Sequence, residues 1–338
     1  MNTKNKQTFI PSDYRPKVKG EKILVTQPPV PLNLKNKKKK VSAIVCIHVK
    51  EDCSQAKVIQ KYNRGKKIVF LHYDDLGITW NFSFYKNVLK FYTQKEEILP
   101  KGIYNRPHSP PSTDPRFQLF SNFLSILDSH WKGQFIGPMS ANFHNSSKPY
   151  QLTTTVRQTI NHSGGQSIDF PRSFFIKGDE SFCLNFLQNS QNLIVKSCSG
   201  IRSQVATFDV FQKWDQSALK NLPTFFQIVC KGPDIRIHWL DEKCYSIIVN
   251  YKKGSIDFRY AKERGPYEKF TPNKELSEFS KQLVERENLR LAGIDFIKVG
   301  ETFMCLECNP NPGWAGFHRF SEDEPFLAKN VILKLMGL

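Results

Sequence analysis

The sequence has no apolar run that approaches the roughly 18 residues of a membrane span. Its first 20 residues are polar and contain no apolar signal region, which argues against secretion. A phosphate-binding loop of the form G-x-x-x-x-G-K-[ST] is absent, and so is any internal repeat. With 39% hydrophobic and 24% charged residues among 338, the composition is typical of a globular protein with two or three packed subdomains. We therefore expect a cytoplasmic protein that does not contact a membrane.

The eight cysteines do not form a disulfide framework, because they are scattered along the chain. Cys46, Cys198, Cys230 and Cys305 lie in apolar runs, where a free thiol behaves as a small hydrophobe. Cys305 and Cys308 form a C-x-x-C, but no second pair follows at zinc-site spacing. Because a regular strand points two such sulfurs to opposite faces, we expect no zinc or redox site there.

Acidic residues are outnumbered by basic ones, 31 Asp and Glu against 49 Lys and Arg, which gives a formal net charge of +18. Such a field favours an acidic partner, and a nucleotide, a nucleic acid and an acidic peptide all qualify. Part of the excess is local, in the lysine run at 35–40. Since a run of this kind is typical of a solvated segment, charge alone does not choose among the partners.

The order of apolar runs predicts a basic extension followed by three structured units. Residues 1–40 show no periodicity and are expected to be irregular. A strand at 42–49, a helix at 53–63 and a strand at 67–73 open a unit over 41–144 as β-α-β, which predicts an open parallel sheet. The second unit covers 145–225 and the third covers 226–338. Because strands and helices are grouped in these later units, the whole is assigned to the α+β class.

Further elements are predicted from the same patterns. The strands are expected at 173–176, 193–196, 205–210, 225–229, 234–239 and 245–250, and two more precede a closing helix. The helices are expected at 117–130, 148–160, 180–188, 273–288 and 324–336. A loop rich in Pro and Ser covers 106–115, and a polar turn covers 197–203.

Three side chains with oxygen atoms stand at the ends of two neighbouring apolar runs. Glu307 and Asn309 are two residues apart on one run, so in a strand they share a face, with Leu306 and Cys308 behind them in the core. Asp295 joins them if the preceding run is the paired strand. Three oxygen ligands on one face suit Mg²⁺, which commonly grips substrate phosphates. The alternative is that these side chains bind no metal and instead cap chain ends or form local hydrogen bonds beside the turn.

Two more positions carry polar chemistry on apolar strands. Lys196 ends a strand just before a small polar turn, where it could hold phosphate oxygens. The alternative is a lysine with a buried apolar stem whose charged end only reaches water, and the sequence does not distinguish the two. Asp234 and Arg236 share a strand face, and the planar guanidinium of Arg236 fits an oxyanion such as an acyl phosphate. An exposed ion pair on a hairpin is the alternative. The backbone of the apolar run at 225–230 could lie along the edge of an adenine base.

In this order the pieces resemble the ATP-grasp superfamily, particularly its RimK-like peptide and amino-acid ligases. The resemblance covers about residues 140–320 and follows Asn145–Lys148, Lys196, Gln227–Val229, Asp234-Ile235-Arg236, Phe258–Ala261 and A-G-I-D…L-E-C-N-P-N-P-G. The closing motif is the most specific, since its Asp and Glu lie twelve residues apart and E-x-N follows. A looser resemblance connects Asn105-Arg106-Pro107 and its surroundings with the first domain of graspetide-type peptide ligases.

This resemblance implies an ATP-grasp fold preceded by an open α/β pre-ATP-grasp domain. It implies that Lys148 and Lys196 hold ATP phosphates, that Gln227, Ile228 and Val229 line the adenine, and that Asp234 meets the ribose. By the same resemblance, Arg236 and Arg259 face the acyl phosphate, and Asp295, Glu307 and Asn309 ligate Mg²⁺, with two ions in this family. The implied reaction activates a carboxylate with ATP and joins it to an amine or hydroxyl, releasing ADP and phosphate. Relatives commonly form dimers or tetramers.

The chain departs from the family pattern at a few positions. The turn after Lys196 has a single glycine where relatives often have several, and Cys308 and Asn311 replace apolar or small residues. The graspetide-type Arg-rich signature is reduced to Asn105-Arg106. No implied metal ligand or phosphate lysine is lost, so we predict an active enzyme.

The substrate remains open between a peptide and a small metabolite. The basic charge and the extension favour an acidic precursor peptide over an amino acid or other small metabolite. A non-catalytic protein that binds a nucleotide or a nucleic acid is the other alternative, since basic and aromatic surfaces bind single strands. Against nucleic acid, the aromatic residues are mostly Phe, 27 against 11 Tyr and 5 Trp, and many occupy core-like positions.

Overall fold

Three sheets organise the described part of the chain. The computed structural model describes residues 38–50, 54–63, 65–106, 113–138, 150, 168–177, 192–196, 205–213, 224–251, 264–315 and 326–337. The predicted elements at 148–160, 180–188 and 197–203 lie outside these residues, except for residue 150. Within the described ranges, no helix combines the length and the apolar character that crossing a membrane requires.

The first sheet is built largely from parallel strands. It contains β1 (Lys39–His48), β2 (Ile68–His72), β3 (Trp80–Tyr85), β4 (Val88–Thr93), β5 (Glu96–Asn105) and β6 (Gln134–Ile136). The order is β2-β1-β5-β4-β3, and β6 also pairs with β5. β1 runs parallel to β2 and β5, and β5 runs parallel to β6. Helix α1 (Ser54–Lys61) connects β1 to β2, which confirms the predicted β-α-β opening of an open sheet.

An antiparallel hairpin within this sheet was not predicted. β3 and β4 are joined by the two-residue turn Lys86-Asn87, whose φ angles are 48° and 62°. Two left-handed residues are typical of a tight hairpin, because their twist matches that of the strands. Trp80 and Phe91 of this hairpin are buried against helix α2 (Phe117–Ser125), which continues as one π-helical turn over Ile126–His130. The predicted helix at 117–130 is confirmed.

The second sheet is small and antiparallel. It contains β8 (Ser173–Ile176), β9 (Leu193–Lys196), β10 (Val205–Thr207) and β11 (Thr224–Ile228) in the order β10-β9-β11-β8. The predicted strand at 205–210 is wrong beyond Thr207, because the short helix α3 (Phe208–Phe211) begins there. The Thr207 hydroxyl accepts a hydrogen bond from the Val210 amide at 3.4 Å, and this N-cap favours a helical turn over a continued strand.

The third sheet carries the strands on which the predicted metal ligands lie. It contains β7 (Ile168–Asp169), β12 (Asp234–Leu240), β13 (Lys243–Tyr251), β14 (Arg264–Lys269), β15 (Leu291–Val299) and β16 (Thr302–Asn309), in the order β14-β13-β12-β15-β16-β7. Helix α4 (Lys274–Arg286) covers one face and buries Phe279 and Leu283 against Phe296 and its neighbours. The Asn273 side chain caps α4 by accepting from the Leu276 amide at 2.8 Å.

A shared core joins the first and third sheets. Helix α5 (Phe326–Leu335) contributes Val331 and Leu335 to this core. Ile44 of β1 and Leu291 of β15 lie in the same cluster, and so does Trp314. Burial of such large apolar side chains drives the two sheets together. The packing brings the end of β5 close to the loop that follows β16.

Candidate functional site

A row of charged side chains crosses the third sheet. The strand register places Arg236 opposite Asp295, and Asp295 opposite Glu307. On the same face, Gly293 lies opposite Asn309. Because residues between these positions, such as Ile237 and Ile294, belong to the core beneath α4, the charged row faces away from that helix. The pairing of the two runs, and the shared face of Asp295, Glu307 and Asn309, follow the sequence prediction.

The strand that carries Glu307 contains a bulge. Asp295 is opposite Glu307, but its neighbour Phe296 is opposite Cys305, so Leu306 is an extra residue in β16. The prediction that Cys305 and Cys308 point to opposite faces is therefore wrong, since both pack toward the core beneath α4. Burial raises the pKa of the Cys308 thiol well above its ordinary value, and the nearby Cys305 raises it further. Leu306 itself is half-buried, rather than deep in the core as predicted.

Arg236 is oriented by two neighbours. Its Nη1 forms an ion pair with Asp295, and its Nε donates to His238 Nε2 at 3.4 Å. The side chains of Arg236 and Asp295 are 11% and 22% exposed, so a ligand can still reach the pair. Burial lowers the pKa of His238 well below its ordinary value, and the charge of Arg236 lowers it further. The imidazole is therefore neutral and can accept the hydrogen bond.

Gly293 provides the space in which the guanidinium lies. A Cβ at this position would be 2.7 Å from Arg236 Nη2 and 2.6 Å from the Cβ of Pro312. Any side chain here would force both groups to shift. Neither Gly293 nor His238 was assigned a role from sequence; the glycine two residues before Asp295 was the available signal, whereas nothing in the pattern distinguishes His238 from an ordinary core histidine.

The donor set on this face fits Mg²⁺. Asp295 and Glu307 supply carboxylate oxygens, and Asn309 supplies an amide oxygen. The Asn309 Oδ1 accepts from the Asn311 amide at 2.8 Å, and its second lone pair can bind a cation. No group of three or more His, Cys, Asp or Glu side chains arranged for a metal occurs among the described residues. Two carboxylates and one amide oxygen suit Mg²⁺, which usually takes its remaining ligands from water and substrate phosphates.

The second sheet presents the predicted phosphate lysine together with Gln227. The Lys196 Nζ donates to Gln227 Oε1 at 2.7 Å, and Gln227 Nε2 donates to the Ser173 hydroxyl at 3.0 Å. The backbone amides of Ile228 and Val229 donate to the carbonyl oxygens of Arg172 and Asn192, at 2.9 Å and 2.8 Å. In this conformation, polar contact between these two residues and an adenine would therefore use their carbonyl groups.

Of the remaining predicted site residues, one is described by the structure and two are not. Asp234 lies two residues before Arg236 on β12 and shares its face, as predicted. Lys148 and Arg259 lie outside the described residues. Their roles stay predictions.

Cys230, which was expected only as a small hydrophobe in the apolar run at 225–230, lies where the second and third sheets approach each other. The pKa of its thiol is raised mainly by burial and also by Asp169 of β7, while Lys196 of β9 acts in the opposite direction. The thiol is half-buried, so reagents can reach it slowly. If Lys196 holds ATP phosphates as predicted, Cys230 lies near enough to report on a bound nucleotide.

We expect a non-hydrolysable ATP analogue with Mg²⁺ to slow alkylation of Cys230. An analogue concentration ten times its dissociation constant would slow the reaction about tenfold, because only the fraction of protein without ligand reacts. Peptide mass spectrometry after a short iodoacetamide pulse measures the rate. Because the thiolate is the reactive form and the pKa of this thiol is raised, labelling is expected to become faster at a more alkaline pH. Cys244 is the control, since it is also half-buried with a pKa raised by burial, but packs toward the core beneath α4. Equal protection of both thiols would contradict a nucleotide at Lys196.

No family model matches the chain. The chain is 24% identical over 243 residues to a probable alpha-L-glutamate ligase of Haemophilus ducreyi, a match that covers 65% of this chain and 76% of that protein.

Solved structures match over more of the chain. The ATP-grasp ligase PsnB complexed with a minimal precursor superposes with a TM-score of 0.68 at 19% identity, covering 88% of this chain and 99% of that one. The same ligase with precursor, Mg and ADP gives 0.64 at 19% identity over 86% of this chain and 97% of that one. The macrocyclase MdnC bound with precursor peptide MdnA, from Microcystis aeruginosa, gives 0.67 at 15% identity over 88% and 100%. The chain therefore has the ATP-grasp fold, and the fold expected from its motifs is confirmed.

Proposed function

We propose that this chain is an ATP-dependent ligase that activates a carboxylate as an acyl phosphate and joins it to an amine or a hydroxyl. The observation that carries the proposal is the row Arg236–Asp295–Glu307, with Asn309 beside it on the same face. A carboxylate pair that would bind a cation, next to a fixed guanidinium, suits transfer of a phosphoryl group to an oxyanion. The solved ATP-grasp ligases with Mg and ADP support ATP and Mg²⁺ as the cofactors.

Each placed residue has a defined task in this reaction. Lys196 would bind phosphate oxygens of ATP, and Asp295, Glu307 and Asn309 would hold Mg²⁺. Bound Mg²⁺ neutralises charge on the phosphates during transfer. The Arg236 guanidinium, fixed by Asp295 and His238, would orient the carboxylate and then the acyl phosphate.

The bonds of the reaction balance without a side-chain nucleophile. A carboxylate oxygen bonds to the γ-phosphorus as the bond to ADP breaks. The amine or hydroxyl then attacks the carbonyl carbon, phosphate leaves with the C–O bonding pair, and the nucleophile releases one proton. Such a reaction depends on positioning and charge stabilisation.

A peptide with acidic side chains is the substrate class that we favour. The ligase PsnB is complexed with a minimal precursor and the macrocyclase MdnC is bound with a precursor peptide. The net charge of +18 would attract an acidic segment. An amino acid is the second candidate, because the relative from Haemophilus ducreyi is a probable alpha-L-glutamate ligase.

Hydroxylamine trapping tests both candidates. We expect the purified protein with Mg²⁺ and ATP to convert a Glu-rich synthetic peptide into its hydroxamate, with one ADP formed for each hydroxamate, because hydroxylamine intercepts an acyl phosphate. Mass spectrometry identifies the modified side chain, and a coupled assay counts ADP. Hydroxamate from free glutamate but not from the peptide would favour the amino-acid ligase. Formation of neither hydroxamate nor ADP would contradict the proposed function.

A further inference from the structure

The end of β5 holds the loop that follows the metal-binding strand. This loop, residues 310–314, is called the β16 loop below. The Tyr104 hydroxyl accepts from the Trp314 indole Nε1 at 3.0 Å. Two residues later, Arg106 Nη1 donates to the carbonyl oxygens of Asn311 and Pro312, at 2.8 Å and 3.2 Å. Two side chains of the first sheet thus contact both halves of one loop in the third.

The β16 loop depends on these contacts for its position. Pro310 and Pro312 have no N–H group with which to bond to the rest of the fold. Two of the loop's backbone donors are used locally, since Asn311 donates to Asn309 Oδ1 and Trp314 donates to the carbonyl of Pro312. The charged donor of Arg106 therefore supplies a strong attachment outside the loop. Burial of Trp314, which is fully shielded from solvent, supplies the other.

Asn309 is connected to Arg106 through a single intervening residue. Arg106 fixes the Asn311 carbonyl, and the amide of the same residue donates to Asn309 Oδ1 at 2.8 Å. The hydrogen bond sets the direction of the Asn309 carboxamide, and hence of its second lone pair. Partners behind a metal ligand are known to orient it in this way.

We propose that Arg106 is a positioning residue for the Mg²⁺ ligand Asn309, so that the first sheet completes the metal end of the site. The proposal rests on the proposed function, which assigns Mg²⁺ to Asp295, Glu307 and Asn309. Without Arg106 the loop loses its charged attachment, and the Asn309 oxygen is held less firmly toward the cation. The affinity for Mg²⁺ in the presence of the nucleotide should therefore decrease, while the binding of the adenine and ribose should be unaffected.

A second arginine offers a matched control. Arg290 Nη1 donates to Gln134 of β6 at 2.7 Å, and its Nε and Nη2 donate to Asp241 at 3.0 Å and 3.1 Å. It therefore joins the same two sheets as Arg106, but through residues other than the β16 loop. A loss of adhesion between the sheets affects both arginine variants, whereas a loss of metal positioning affects only Arg106.

The test measures ADP binding by calorimetry across a Mg²⁺ titration in Arg106→Gln, Arg106→Lys and Arg290→Gln. We expect Arg106→Gln to raise the Mg²⁺ concentration for half-maximal enhancement of ADP affinity by about tenfold, with ADP affinity in EDTA unchanged. Arg106→Lys, which keeps a cationic donor, should recover part of this loss. Arg290→Gln should lower the melting temperature and leave the Mg²⁺ requirement unchanged.

The outcomes separate this inference from the proposed function. An equal Mg²⁺ shift in Arg106→Gln and Arg290→Gln would overturn the positioning role, and so would an unchanged Mg²⁺ requirement in folded Arg106→Gln and Arg106→Lys. Either result, with Mg²⁺-dependent ADP binding by the wild type, leaves the proposed function intact. Wild-type protein that shows no Mg²⁺-dependent ADP binding would overturn both.

Discussion

Replacing Glu307 with Gln is expected to lower kcat by about a thousandfold or more, with little change in folding. The substitution keeps the shape of the side chain on β16 but removes the charge that would face Mg²⁺. A metal that neutralises phosphate charge contributes several kcal/mol to the transition state, and each 1.36 kcal/mol corresponds to about tenfold in rate. The measurement is ADP formation at saturating ATP and Mg²⁺, alongside thermal unfolding.

The same hairpin supplies the control for this prediction. Glu301 is exposed in the turn between β15 and β16, at the opposite end of the hairpin from Glu307 and Asn309. Glu301→Gln changes the net charge equally and should leave kcat within about twofold, since surface substitutions of this kind have small effects. A Glu307→Gln enzyme with nearly full activity at saturating Mg²⁺ would remove Glu307 from the metal site.

The local pattern of the sequence predicted the elements of the candidate site because the apolar runs were long and well bounded. β12, β15 and β16 occur at the apolar runs that were predicted to be strands, and the helix predicted at 273–288 is observed over Lys274–Arg286. The spacing of two between Glu307 and Asn309 was enough to place them on one face, since they follow the bulge and keep the strand period.

The bulge itself was not visible in the sequence. Leu306 is an ordinary apolar residue, and only the pairing of β15 with β16 shows that it is inserted. Strand period alone therefore put Cys305 on the wrong face. Register depends on contacts between strands that are distant in sequence, so a one-residue shift is decided by the fold as a whole.

The local sequence pattern could not predict the contacts between the first and third sheets either. Tyr104 and Arg106 contact residues 311–314, more than 200 positions away in the chain. The β3–β4 hairpin was missed for a different reason, because its Lys86-Asn87 turn contains no glycine and was not recognised as left-handed.

Gly293→Ala is expected to lower kcat about a hundredfold while the protein remains folded. The added methyl would lie 2.7 Å from Arg236 Nη2, 2.9 Å from Arg236 Cζ and 2.6 Å from Pro312 Cβ. Of these groups, the guanidinium is the end of a flexible side chain, whereas the Pro312 carbonyl is held by Arg106 at 3.2 Å. The guanidinium should therefore move furthest, although Pro312 must also shift slightly to relieve the 2.6 Å contact. A small misplacement of a charged group is enough to lose about a hundredfold in rate. Hydroxamate formation gives kcat, and the melting temperature checks the fold.

A double mutant decides whether the methyl acts through Arg236. Arg236→Ala alone should cost a hundredfold or more, the usual range for removing one preorganised donor. If Gly293→Ala works by displacing the guanidinium, then the double variant should be no slower than Arg236→Ala, because the group has already been lost. Gly313→Ala is the control, since its added Cβ would meet nothing closer than 3.7 Å, and it should leave kcat nearly unchanged. Independent, multiplying losses in the double variant would show that Gly293 is needed for something other than seating Arg236.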